Sequence, residues 1–99
     1  MARNIQSELK QNKPFSSREE ELVLNIIRTA DQLQRGLAQL FSDLGLTGTQ
    51  YNALRILRGA GEAGLACGEI ADRMVTRDPD ITRLLDRLDK QGLISRNRE

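Results

Sequence analysis

The sequence predicts a mainly α fold that closes in a helix-turn-helix. Three observations carry that reading. Apolar residues recur at helical spacing from Leu22 to Leu88, in segments opened by capping residues. Two short helices are joined by the turn "TRDPD", residues 76 to 80. The second of them, within "DITRLLDRLDKQGLISRNRE", sets Ile81, Leu84, Leu85 and Leu88 on one side and Arg83, Arg87 and Lys90 on the other.

Residues 1–16 are polar, contain Pro14 and offer few apolar anchors, so they read as an N-terminal arm. Residues 17–45 read as one long helix. Ser17 is its N-cap, Glu19, Glu20 and Glu21 suit the positive end of its dipole, and Ser17 with Glu20 has capping-box spacing. Leu22, Val23, Ile26, Ile27, Ala30, Leu33, Leu37, Leu40, Phe41 and Leu44 form its stripe, and Gly45 is its C-cap. Such a helix is roughly 40 Å long at 1.5 Å per residue, against a diameter of roughly 33 Å for a compact domain of this size. It should overhang its own domain. Its first half is also apolar around more of its circumference than one neighbouring helix covers. Either the arm folds back over that surface or a second subunit does; the second reading is preferred, with Leu22, Val23, Ile26 and Ile27 as the dimerisation contact.

Residues 46–99 form the helix-turn-helix region. Thr47 and Gln50 make a second capping box, Tyr51, Leu54, Ile56 and Leu57 give the apolar positions, and "GAGEAG" ends the helix. A short helix "CGEIADRMV" follows, with Ile70, Ala71, Met74 and Val75 expected inward. Asp78 can cap the last helix, Pro79 suits its first position, and the helix runs from about Pro79 to Lys90 or Gln91 with Gly92 as C-cap. "LISRNRE" alternates in the manner of a strand.

Composition excludes several functions. The 99 residues suit one domain, and no apolar run approaches a membrane span. The N-terminus lacks the apolar core of a secretory signal, and a single cysteine, Cys67, permits no internal disulfide; both fit a cytoplasmic protein. With no histidine, the commonest general base and metal ligand is missing, so neither an enzyme, a cofactor nor a metal is expected. Cys67 stands where Ser or Thr would usually cap a helix; a helix N-terminus can favour a reactive thiolate, so redox sensing is the alternative to the preferred structural reading.

Any nucleic-acid partner must be argued from charge placement, because the formal net charge is only +1. From Arg77 to Arg98 there are six cations (Arg77, Arg83, Arg87, Lys90, Arg96, Arg98) and four anions (Asp78, Asp80, Asp86, Asp89), a net +2. Arg83 and Arg87 emerge from one face at i, i+4, with Asp80 and Lys90 one turn to either side. A major groove admits a helix in this orientation, and arginine can grip guanine O6 and N7 or a phosphate. The plainer alternative is a solvated helix face with Asp86 and Lys90 as an i, i+4 pair.

From "LTGTQYNALRIL" through "GEIADRMVTRDPDITRLLDRLDKQGLISR" the chain resembles the MarR (multiple antibiotic resistance regulator) family of winged helix-turn-helix repressors. "TRLLDRL", followed by "QGLI", is the most specific piece. With the long first helix the resemblance covers about Ser17 to Glu99. It implies a winged helix-turn-helix dimer that binds double-stranded, pseudo-palindromic operator DNA, with the helix matching Pro79 to Gln91 in the major groove. The implied DNA-contacting residues are Gly68, Thr76, Arg77, Asp78, Pro79, Asp80, Thr82, Arg83, Arg87 and Arg96, those around Cys67, Gly68 and the turn acting through backbone N–H groups. The first helix would help build a homodimer. The family's wing hairpin and C-terminal helices have no counterpart before Glu99, so the wing is incomplete, the chain reads as truncated, and no small-molecule effector pocket is legible. Relatives that sense oxidants carry a cysteine near the start of the first helix, where this sequence has none. The competing reading is an interaction module that pairs through the first helix and binds little DNA of its own.

Overall fold

The computed structural model describes residues 4–97. Five α-helices follow in order: α1 (Ile5–Glu8), α2 (Arg18–Asp43), α3 (Gly48–Ala60), α4 (Cys67–Arg73) and α5 (Ile81–Lys90), with a 3-10 turn at Gly61–Ala63 after α3. Among the described residues there is no strand, and the alternation read in residues 93–97 is irregular backbone; residues 98 and 99 lie outside the described residues. The chain divides into two compact units, one up to Leu37 and one from Ala38 onward.

In the first unit the arm is not wholly without structure. Asn4 Oδ1 accepts the Ser7 N–H at 2.9 Å and caps the single turn α1, whose Ile5 is buried. Helix α2 starts at the expected cap: Ser17 Oγ accepts the Glu20 N–H at 3.1 Å. The reciprocal half of the box is taken elsewhere, since the Glu20 carboxylate accepts from the Ser16 hydroxyl. The half-buried positions early in α2 are Glu21, Leu24 and Arg28, spaced to share one face. At 100° per residue that face is roughly opposite Leu22, Val23, Ile26 and Ile27. These four remain 51–59% exposed. The arm therefore does not cover the apolar half of the helix.

The second unit owes its core to three helices. Ala53 from α3, Ile70 from α4, and Leu84, Leu85 and Leu88 from α5 form one buried cluster, with Leu54, Leu57, Met74, Ile81 and Ile94 packed against it. Helices α3, α4 and α5 each touch the other two. Helix α2 ends inside this unit in a Schellman turn. Gly45 at φ +75° lets Leu46 N–H donate to Phe41 O and Gly45 N–H to Ser42 O, both at 2.9 Å. Phe41 stacks on Tyr51 with ring centroids 4.5 Å apart, joining the end of α2 to α3. The Thr47–Gln50 capping box forms in full. Gln50 is buried as well, and its side-chain amide donates to Gln91 Oε1 at 3.3 Å, fastening the start of α3 to the end of α5.

Three boundaries differ from the sequence reading. Helix α4 stops at Arg73, so Met74 stays partly buried while Val75, expected inward, is 82% exposed. Its cap is Ala66, which places Cys67 at the first helical position rather than the cap. Helix α5 begins at Ile81 and not Pro79, with Asp80 rather than Asp78 as its N-cap. The reason is local: Asp78 Oδ1 accepts the Asp80 N–H at 2.8 Å and closes a turn across Pro79, which leaves Asp80 to accept the first orphan N–H of the helix.

Candidate nucleic-acid interface

The surface is built outward from the core. Leu84, Leu85 and Leu88 are at most 7% exposed, so the inner face of α5 is fixed. Helical periodicity then turns Thr82, Arg83, Arg87 and Lys90 outward, and all four are exposed. Two cations on this face, Arg87 and Lys90, stand in the last turn of α5, where they also complement the helix dipole. Among the described residues neither Arg83 nor Arg87 joins an ion pair, so both guanidinium groups are available to a ligand.

The turn ahead of α5 is held at both ends. Asn52 Oδ1 of α3 accepts the Val75 N–H at 2.9 Å, anchoring the start of the turn to the core. At the other end Asp80 Oδ1 accepts the Arg83 N–H at 3.1 Å. Thr76, Arg77, Pro79 and Asp80 are exposed along this turn, Asp78 is half-buried, and Gly68 is exposed in the first turn of α4. A shallow cleft of about 260 Å³ runs between this turn and the start of α3, lined by Thr47, Thr49, Asp78, Asp80, Arg83 and Arg87 among others. In the sequence Thr47 reads only as a cap, and nothing there singles out Thr49. The packing of α3 on α5 brings them beside α5, and the Gln50–Gln91 hydrogen bond, which spans 41 residues, ties the two helices at that end.

Arg96 stands apart from the rest. Its guanidinium pairs with Asp86 on α5, and its side chain is only 20% exposed. Rather than standing free as a cation, it ties the segment after Gly92 back onto α5. Asp86 is thereby engaged with Arg96, a partner ten residues away that helical spacing does not reveal.

A second cleft, of about 570 Å³, lies between the loop before α4 and residues 94–97, with Leu57, Leu65, Cys67, Ile70, Leu85 and Ile94 in its wall. Of the residues expected at DNA, it takes in Arg96 alone. Among the described residues no three His, Cys, Asp or Glu side chains gather in a metal-binding group, and no helix is long and apolar enough to cross a membrane.

This arrangement, three short helices with the last one pinned by leucines and carrying free arginines outward, is that of a helix-turn-helix. A family model of the MarR family matches residues 44–99, more than half of the chain. The chain belongs to the MarR family. No curated protein and no solved structure matches it. Membership makes α3, α4 and α5 a MarR-type helix-turn-helix domain and the chain a DNA-binding transcriptional regulator, in a family of regulators rather than enzymes. The matched segment contains every residue lining the cleft beside the turn and the start of α3, and it contains Arg83 and Arg87.

Proposed function

We propose that the chain is a cytoplasmic MarR-type repressor that binds pseudo-palindromic operator DNA as a homodimer, with α5 of each protomer in the major groove. One observation supports this most. The outer face of α5 offers two unpaired guanidinium groups on a helix whose other face is locked into the core. Thr82 and Arg83 lie in the first turn of α5, from which recognition helices address base edges. Arg87 follows one turn later, within reach of a base or a phosphate. Arg77 on the turn and the exposed backbone at Gly68 and Thr76 suit phosphate contacts, and Asp78, Pro79 and Asp80 shape the approach. Arg96 contributes by bracing α5 through Asp86. Pairing through Leu22, Val23, Ile26 and Ile27 supplies the two-fold symmetry that a palindrome requires.

The test is fluorescence anisotropy on a duplex selected by the parent chain. Arg83→Ala and Arg87→Ala should each weaken binding by roughly five- to 150-fold, equivalent to 1–3 kcal/mol. Parental affinity in both would end the groove assignment.

The exposure of the α2 stripe also favours a second reading, an interaction module that pairs with another regulator and lowers its operator occupancy. Light scattering at rising concentration decides this one. A chain that stays monomeric, alone and beside another MarR-family regulator, has no such role.

A further inference from the structure

We infer that Asp80 reads a base: its carboxylate selects cytosine next to the guanine gripped by Arg83. The inference rests on the groove assignment above and adds the identity of the neighbouring base.

Asp80, Arg83 and Arg87 recur at i, i+3, i+7 and share the exposed face of α5. Asp80 caps the helix, so it stands at the N-terminal end, the end from which recognition helices reach base edges. Its side chain is held in place. Oδ1 accepts the Arg83 N–H at 3.1 Å, and its own N–H is donated to Asp78 at 2.8 Å. The second carboxylate oxygen has no hydrogen-bond partner among the described residues. Nor do Asp80 and Arg83 neutralise each other, because no ion pair joins them. The second carboxylate oxygen of Asp80 and the donor fork of Arg83 therefore line the same cleft without pairing with each other.

A carboxylate can only accept hydrogen bonds, and a phosphate repels it. In a major groove the donors are cytosine N4 and adenine N6. Guanine O6 and N7 and thymine O4 are acceptors and reject it. Adenine sets its N7 acceptor beside its N6 donor and so repels the rest of the carboxylate, which makes cytosine the better partner. Three residues at 1.5 Å of rise separate Asp80 from Arg83 by about 4.5 Å along the helix, close to one base step of about 3.4 Å. The two side chains thus address adjacent base pairs.

Selection from a randomised duplex library tests this, run with the parent chain, Arg83→Ala, Asp80→Ser and Asp80→Asn. Serine and asparagine both keep an N-cap, so α5 remains folded, and circular dichroism of each variant should match the parent. The parent should enrich cytosine about fivefold or more at one position beside a guanine whose preference disappears in Arg83→Ala. Asp80→Ser should lose that cytosine and keep the guanine. Asp80→Asn, whose Oδ1 takes over the cap and whose Nδ2 is a donor, should also lose the cytosine and move towards a base that presents an acceptor. If both Asp80 variants select the parental base at every position, Asp80 is a cap alone and the inference falls while the groove assignment stands. If the parent selects no sequence, or its selection ignores Arg83→Ala, both fall together.

Discussion

Leu88 is the residue on which the candidate interface turns. It is fully buried, it lies on α5 midway between Arg87 and Asp89, and it has no polar duty. Replacing it with alanine deletes buried methyl groups and leaves a cavity, at a cost of about 2–5 kcal/mol. Urea denaturation should show that loss for Leu88→Ala, and near-parental stability for Arg83→Ala, whose side chain is exposed. A comparable loss in Arg83→Ala would mean that the guanidinium is part of the fold. At this scale the sequence disclosed what is decided within four residues. Thr47 with Gln50, Ser17 with Glu20 N–H, and the glycines at 45 and 92 all act on neighbours along the chain. It did not disclose Arg96 with Asp86, ten residues apart, or Gln50 with Gln91, since folding alone creates those meetings. Asp78 and Asp80 were both chemically able to cap, and the hydrogen bond between them, not residue type, settled which one does.

Among the elements, α2 presents the least satisfied surface. Leu22, Val23, Ile26, Ile27 and Leu33 are each more than half exposed, along a helix whose half-buried early positions lie on the other side. This apolar strip is where the proposed homodimer would pair. Ile26→Asp would set a charge in it without touching a buried residue. If the proposed homodimer pairs here, the variant should keep the parental helix content by circular dichroism yet shift from dimer to monomer in light scattering. A variant that remains dimeric would place the contact elsewhere. The stripe was legible because period 3.6 runs unbroken for more than six turns. The end of α4 was not, because the same period continues through Val75 after the backbone has left the helix at Arg73. Periodicity reports where a side chain would point if the helix went on; it does not report where the helix stops.

For the molecule as a whole, a formal charge of +1 gives little general attraction to DNA. Affinity must then come from cations concentrated on one surface, and salt dependence counts them. On the candidate interface, Arg77, Arg87 and Lys90 are the exposed cations assigned here to phosphates, three per protomer. Six in a dimer should give a slope of log Kobs against log salt of about −5, and three in a monomer about −3. Arg77→Ala should flatten a dimer's slope by about 2 and a monomer's by about 1, with the same bases still preferred. Arg83→Ala should do the reverse, relaxing base preference while leaving the slope near the parental value. Anisotropy titrations between 50 and 200 mM salt on one selected duplex and one scrambled duplex separate these outcomes. A parental slope near zero would remove electrostatic contact with the duplex altogether. An equal loss of slope in both variants would mean that Arg83, too, spends its charge on a phosphate, so that base reading must come from another residue on α5.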